Sequence, residues 1–209
     1  MLNKYSINFK ELEFLEAPST IYDVSQKFKE RFSKATKSIK IFSGELHWML
    51  YSHPDILNTL IEKHEQGVRI TIIASPVISV FKRGNKKFNG ILKLANDGVV
   101  ELYRRDKILK DRHFIIIDDD EVWLEEHHRS LSPLGLRRER KITSKVKGFN
   151  KFSEKFSNYI MNNKKSDNPK RDFLLLIPSQ IHLMRENIDN YENLNIKEIR
   201  NKIRMLEKN

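Results

Sequence analysis

Between residues 20 and 103 the sequence alternates three times between a helical pattern and a β-branched apolar run. This alternation constrains the fold more than any other feature. Apolar residues at helical spacing predict helices over about 20–36, 55–65 and 87–96, and the runs that follow predict strands at 38–43, 68–74 and 99–103. Strands that alternate with helices in this way indicate an α/β fold with right-handed crossovers and a parallel sheet.

After residue 103 the pattern changes. Two apolar runs, 112–117 and 121–125, flank three consecutive aspartates and predict an antiparallel hairpin. A basic stretch over 129–148 follows as a loop or irregular strand, and a helix is predicted over 149–161. We therefore expect one domain over residues 1–162, followed over 163–209 by a linker and a helical C-terminal extension.

The charge and the residue types limit the classes of function. The 39 Lys and Arg residues exceed the 28 Asp and Glu residues, so the formal net charge is +11, which favours nucleic acid first and an anionic membrane second as partners. The sequence has no cysteine, which excludes disulfides, thiolate catalysis and thiolate zinc sites. Since no apolar run approaches the length of a membrane span and the first residues lack a signal-peptide core, we expect a cytoplasmic protein.

His113 lies on the first strand of the predicted hairpin, after the β-α-β-α-β segment, and Asp120 follows seven residues later at the end of the acidic turn. This spacing and this order of elements resemble the phospholipase D superfamily, whose motif is H-x-K-x4-D. The resemblance covers about residues 20–162, which corresponds to one superfamily module. It implies a mixed sheet of parallel strands plus an antiparallel hairpin, flanked by helices, with His113 and Asp120 as the catalytic-motif residues.

The resemblance also implies a chemistry. In the family, the histidines of two modules meet, so that one attacks phosphorus and the other protonates the leaving group, while a lysine holds phosphate oxygens without a metal or cofactor. One module per chain implies a homodimer with two copies of His113 across a two-fold axis. Ile115 stands at the lysine position, and His127, His128 and Ser130 stand where the family has Gly-Ser and Asn. The chain is therefore expected to be catalytically degenerate; the alternative is an active metal-independent phosphodiesterase or nuclease with His113 as nucleophile.

Considered without the family, the hairpin allows other interpretations. A three-residue turn over 119–121 would place His113 opposite His127, and a two-residue turn would place it opposite Glu126. The His and Glu side chains there could hold a divalent metal, perform acid–base chemistry, or simply be solvated residues at the end of a strand. The three aspartates could bind Mg²⁺ or Ca²⁺, but such a run is more typical of a turn whose carboxylates bind nearby backbone.

The candidate phosphate-binding residues are cations in two predicted loops and beside the hairpin. They are Arg137, Arg138, Arg140, Lys141, Lys145 and Lys147 in the basic stretch, Lys82 and Arg83 in a Lys- and Gly-rich loop, and Arg112 and Arg129 at the ends of the hairpin. We expect this basic face to bind a phosphodiester polymer by neutralising phosphates and releasing counterions. A third alternative is that the same face binds acidic lipid or another protein.

Overall fold

A computed structural model describes residues 13–14, 21–108, 113–125, 139–143 and 149–208, with backbone alone for 13–14, 21–22, 125 and 139–143. The strands are β1 (Glu13–Phe14), β2 (Ser38–Phe42), β3 (Arg69–Ala74), β4 (Val77–Ser79), β5 (Phe81–Arg83), β6 (Lys86–Phe88), β7 (Glu101–Arg104), β8 (Phe114–Ile117), β9 (Glu121–Glu125), β10 (Glu139–Thr143) and β11 (Leu174–Leu176). The helices are α1 (Ile21–Lys34), α2 (Trp48–Tyr51), α3 (Pro54–Glu65), α4 (Gly90–Asn96), α5 (Asn150–Asn162), α6 (Pro169–Asp172), α7 (Pro178–Asn187) and α8 (Ile196–Leu206).

The main sheet has the strand order β1-β10-β9-β8-β2-β3-β7. Strands β2, β3 and β7 are parallel, whereas β8 is antiparallel to β2 and forms a hairpin with β9. This arrangement confirms the predicted α/β fold with parallel strands and an antiparallel hairpin. The carboxyl ends of β2, β3 and β7 and the beginning of β8 therefore lie at one edge of the sheet, which we call the carboxyl edge.

Helices cover both faces of the sheet. The strand β8 shows this directly, because its four residues are all buried but alternate between two cores: Ile115 and Ile117 pack in the core that includes α1, and Phe114 and Ile116 in the core that includes α5. The ring of Phe114 stacks on that of Phe42, with centroids 4.8 Å apart and planes 4° from parallel. Burial on both faces explains why this strand is apolar at every position rather than at alternate ones.

The turn of the hairpin lies earlier than predicted. Ile117 pairs with Glu121 and Ile115 with Trp123, so the turn consists of Asp118, Asp119 and Asp120. Both predicted registers, which placed His127 or Glu126 opposite His113, are therefore wrong. Phe114 pairs with Leu124, so one residue further along the hairpin Glu125 lies opposite His113. The cause is local: Asp118 and Asp119 have φ of 54° and 60°, the left-handed region that Asp adopts more readily than most residues.

Segments after residue 162 pack onto the earlier part of the chain. The strand β11 pairs in parallel with β4, and Val77 of β4 shares an apolar cluster with α7 and α8. Arg185 of α7 donates a hydrogen bond of 2.5 Å to Glu45, beside the carboxyl edge. The two predicted C-terminal helices are confirmed, and they rest on the domain whose boundary was predicted at residue 162.

Residues 82–87, predicted as a loop, instead form most of a two-stranded antiparallel hairpin, so that Lys82 and Arg83 lie on β5. In the basic stretch 129–148, residues 139–143 form β10, which pairs with β9. None of the helices in the described part of the chain combines the length and the apolar character that crossing a membrane requires.

Candidate functional site

His113 lies at the carboxyl edge of the sheet. It immediately precedes β8, whose first residue, Phe114, pairs with Phe42 at the carboxyl end of β2. The imidazole is partly exposed and lies against Gly44, because a Cβ atom added at Gly44 would come within 2.8 Å of His113 Nε2. The absence of a side chain at residue 44 therefore leaves the space that His113 Nε2 occupies.

A small cavity opens beside His113, and its walls are mainly aromatic and aliphatic. Arg31 of α1 brings a cation into these walls, although its side chain is almost fully buried. The guanidinium carbon of Arg31 lies 3.8 Å from the ring centroid of Trp123, which is a cation–π distance. The guanidinium therefore lies over the indole ring rather than extending toward solvent.

Ile115 lies on the same cavity wall as His113, as expected for residues two apart along a strand. Its side chain is 6% exposed and belongs to the apolar core beneath α1. The position at which the phospholipase D motif has lysine is therefore occupied by a buried hydrocarbon, which offers a phosphate oxygen neither a charge nor a hydrogen bond.

A second buried arginine lies at the carboxyl edge. Arg105 directly follows β7, is 1% exposed, and donates a hydrogen bond of 3.3 Å from Nη2 to the carbonyl oxygen of Ser43. Its guanidinium carbon is 4.8 Å from the ring centroid of Phe42. Sequence reasoning missed both arginines, although each had a signal: Arg31 interrupts the apolar stripe of α1, and Arg105 follows a strand at the edge where α/β sheets bind ligands.

Asp120 lies far from His113. It is exposed in the turn at the opposite end of β8, and the four steps from residue 113 to residue 117 alone span roughly 13 Å. The structure therefore does not bring the two motif residues together, and a direct contact between their side chains is excluded by the length of the strand.

The carboxylate of Asp118 instead organises the turn. It accepts hydrogen bonds of 2.7–2.9 Å from the backbone N–H and the hydroxyl of Thr36 and from the backbone N–H groups of Lys37 and Ser38. Burial raises the pKa of this carboxyl, but the hydrogen bonds outweigh it and hold the pKa below its usual value. The interpretation of the aspartates as a turn that binds backbone is thus supported for Asp118, which ties the hairpin to the segment between α1 and β2.

Within the described residues, no group of three or more His, Asp and Glu side chains has the arrangement of a metal site. Glu126, His127 and His128, on which the metal interpretation of the hairpin depended, lie outside the described residues, as does Ser130.

The predicted cations divide into those the structure places and those it does not. Lys82 and Arg83 are exposed on β5. The segment that leads into β5 is bonded to the loop after β2, because Ser75 N–H donates to the carbonyl oxygen of Gly44 at 3.0 Å and Ser79 N–H donates to that of Glu45 at 2.7 Å. The strand β5 therefore starts near the carboxyl edge. The backbone of Arg140 and Lys141 lies in β10. The remaining candidates lie outside the described residues; they are Arg112, Arg129, Arg137, Arg138, Lys145 and Lys147.

The fold is similar to that of solved structures. Nuc from Salmonella typhimurium, a phospholipase D family member, matches with a TM-score of 0.54 and 16% identity, over 75% of this chain and 99% of that chain. NucT from Helicobacter pylori matches with a TM-score of 0.53 and 17% identity, over 75% and 99%. TrmBL2, an archaeal chromatin protein, has a TM-score of 0.48 and 19% identity over 79% of this chain, which spans 57% of the length of TrmBL2.

No protein-family model matches the sequence, and no curated protein matches it significantly. The likeness to known proteins is therefore one of fold. The mixed sheet with its antiparallel hairpin and the likeness to Nuc and NucT over nearly their whole length show that this chain has the phospholipase D fold.

Proposed function

We propose that this chain is a phospholipase D-like domain that binds nucleic acid at its carboxyl edge and has little or no phosphodiesterase activity. The proposal depends on the two residues at the histidine and lysine positions of the phospholipase D motif. His113 is retained and partly exposed, whereas Ile115 is buried and apolar where the motif has lysine. A site of this kind keeps a group that can contact a phosphodiester but lacks the cation that would stabilise its charge during reaction.

Arg31 does not replace the missing lysine. Although it lines the same cavity as His113, its side chain is 4% exposed and its guanidinium lies on the Trp123 ring. To reach a phosphate oxygen outside the cavity, it would have to leave this cation–π contact, which is stronger in a desolvated setting than at the surface.

Charge supports nucleic acid as the partner. The net charge is +11, and the hairpin that leaves the carboxyl edge carries four exposed cations, Lys82, Arg83, Lys86 and Lys87, without an acidic residue between Phe81 and Phe88. Neutralising phosphates with such residues releases condensed counterions, which supplies much of the affinity of proteins for nucleic acids.

We expect the purified chain to be a homodimer. A single module provides one copy of His113, and a two-fold axis near the carboxyl edge would supply the second half of the phospholipase D cleft. Light scattering at tens of micromolar should give twice the chain mass, and the His113→Glu variant should shift it toward the monomer by placing like charges across the axis. As a matched control, Met161→Glu changes an exposed residue of α5 and should leave the mass unchanged. A monomeric wild-type protein would refute the dimer.

We also expect no turnover of bis-p-nitrophenyl phosphate in EDTA, for the wild-type chain and for His113→Ala alike. The physical reason is that Ile115 leaves the developing charge on the phosphate without a partner. Because His113 is partly exposed, its removal should leave the melting temperature nearly unchanged, which controls for folding. Clear wild-type turnover that His113→Ala abolishes would instead establish the active, metal-independent phosphodiesterase, the alternative that the partly exposed imidazole favours.

A further inference from the structure

The β5–β6 hairpin presents two chemically different faces. Phe81 pairs with Phe88, Lys82 with Lys87 and Arg83 with Lys86 across the ladder. Because side chains alternate along a strand, Phe81, Phe88, Arg83 and Lys86 share one face, and Lys82 and Lys87 share the other. The first face thus combines a cross-strand pair of aromatic rings with two cations.

The rings on this face are unusually exposed. Phe81 is 42% exposed and Phe88 48%, and the only other large hydrophobic residues of the described chain that are classed as exposed are Met161 and Met205. The ring of half-buried Trp48 lies 5.1 Å from that of Phe81, tilted by 35°. Trp48 and the cross-strand pair Phe81 and Phe88 therefore form an aromatic surface whose two phenyl rings are open to solvent, which we call the aromatic platform.

The platform carries positive charge on its own face. Arg83 and Lys86 lie on the same face as the two rings, and both are exposed. The segment from Phe81 to Phe88 contains no acidic residue. Charge complementarity therefore identifies the partner of the platform as anionic.

The platform lies on the same edge as His113. Trp48 follows the loop that begins at Ser43 and contains Gly44, against which His113 packs. The platform and His113 therefore both border this loop.

The shape of the hairpin favours a nucleic-acid strand over a membrane. Its tip is Arg83-Gly84-Asn85-Lys86, and the two rings lie at its base, roughly 7 Å back along each strand. In a bilayer the charged and polar tip would have to enter before the rings, at a large desolvation cost. Flat aromatic faces beside cations are instead what proteins use to stack unpaired bases.

We propose, on the basis of the proposed function, that the aromatic platform stacks the bases of single-stranded nucleic acid. In a duplex the bases already stack on one another and their faces are not accessible to the platform, so the platform confers a preference for single strands. Arg83 and Lys86, on the same face, contact the phosphates between the stacked bases.

The test compares two substitutions of the same pair of rings. Phe81→Leu with Phe88→Leu keeps most of the apolar volume but removes both rings, Phe81→Tyr with Phe88→Tyr keeps the rings, and Met161→Leu controls for a change at an exposed apolar residue elsewhere. Binding of a labelled oligothymidylate, and of a labelled duplex, is measured by fluorescence anisotropy at fixed salt, with melting curves for each variant.

We expect the leucine variant to lose about tenfold or more in affinity for the oligothymidylate, since stacking on a single ring accounts for about fivefold to a hundredfold. Its affinity for the duplex should change by less than about twofold, and the tyrosine and Met161 variants should bind both as the wild type does. If the wild type binds the oligothymidylate and the leucine variant binds it equally well, or loses affinity equally for the duplex, the platform is not a base-stacking site although the proposed function stands.

If the wild type binds neither nucleic acid, the proposed function itself fails, and the platform proposal with it. Flotation with vesicles of phosphatidylserine and phosphatidylcholine tests whether the anionic partner is a lipid surface instead of a nucleic acid. If the wild type floats with these vesicles and binds no oligothymidylate, the hairpin is a membrane-surface element and the proposal is overturned.

Discussion

Replacing Asp118 with alanine is expected to lower the free energy of unfolding by about 3 kcal/mol. The carboxylate accepts hydrogen bonds from three successive backbone N–H groups and one hydroxyl, and no alanine atom can take its place. Water can reach most of these donors, so their loss costs less than it would in a dry core. Of the loss in stability, about 1–2 kcal/mol is backbone strain, because Asp118 has φ of 54°, a conformation that alanine adopts less readily. Urea unfolding at neutral pH measures the total loss.

Asp119→Ala is the matched control for the backbone strain. Asp119 has φ of 60°, but its carboxylate is half exposed and pairs with Lys40 at 2.7 Å, an ion pair of the kind that contributes at most about 1 kcal/mol. Asp119 also accepts a hydrogen bond of 3.2 Å from Ser153 Oγ. The two alanine variants share the strain, so the difference between them compares the backbone hydrogen bonds of Asp118 with these exposed contacts of Asp119. Equal losses of stability would contradict the idea that Asp118 ties the hairpin to residues 36–38.

The contribution of Asp118 to the free energy of unfolding should depend on pH. Since the pKa of Asp118 is lowered in the folded chain, its contribution is complete above the unfolded-state value of about 3.9 and is lost as pH falls through the folded value. The stability difference between the wild type and Asp118→Ala should therefore shrink in acid, below about pH 4.

The parts of the fold that could be predicted from the sequence are those set by local periodicity. The strands β2, β3 and β7 and the helices α3 and α4 lie within about three residues of their predicted bounds, because apolar spacing and adjacent turn residues carry the signal within a short window. Gly67 and Gly98, for example, follow helices with φ of 84° and 78°, which is where a glycine is expected.

The missed features depend on residues distant in sequence or on an unusual backbone. Leu174–Leu176 form a strand only because they pair with Val77–Ser79, and no local pattern indicates a partner almost a hundred residues away. The hairpin register failed because two aspartates adopt the left-handed conformation. At the candidate site, the motif led to His113, whose role stays a prediction. Arg31 and Arg105 were missed because their weak sequence signals do not reveal the aromatic rings that each guanidinium contacts.

The largest effect on binding is expected from the triple variant Arg137→Ala, Arg138→Ala and Arg140→Ala. Each neutralised phosphate of duplex DNA contributes about −0.9 to the slope of log affinity against log salt, so a set of five or six contacts gives a slope near −5. Removing three arginines should reduce the magnitude of this slope by up to about three units and weaken binding at every salt concentration. Arginine is well suited to this role because its paired donors match phosphate oxygens.

The register of the sheet places the beginning of β10. Glu139, the first residue of β10, pairs with Glu125, which the hairpin register places across from His113, so β10 begins at the carboxyl edge. In the sequence, Arg137 and Arg138 directly precede β10, whereas Lys145 and Lys147 follow it, and the strand between them is roughly 14 Å long. The double variant Lys145→Ala and Lys147→Ala is therefore the matched control, and it should reduce the slope less than Arg137→Ala with Arg138→Ala. Wild-type affinity and salt dependence in a normally folded triple variant would remove the basic stretch from the nucleic-acid interface.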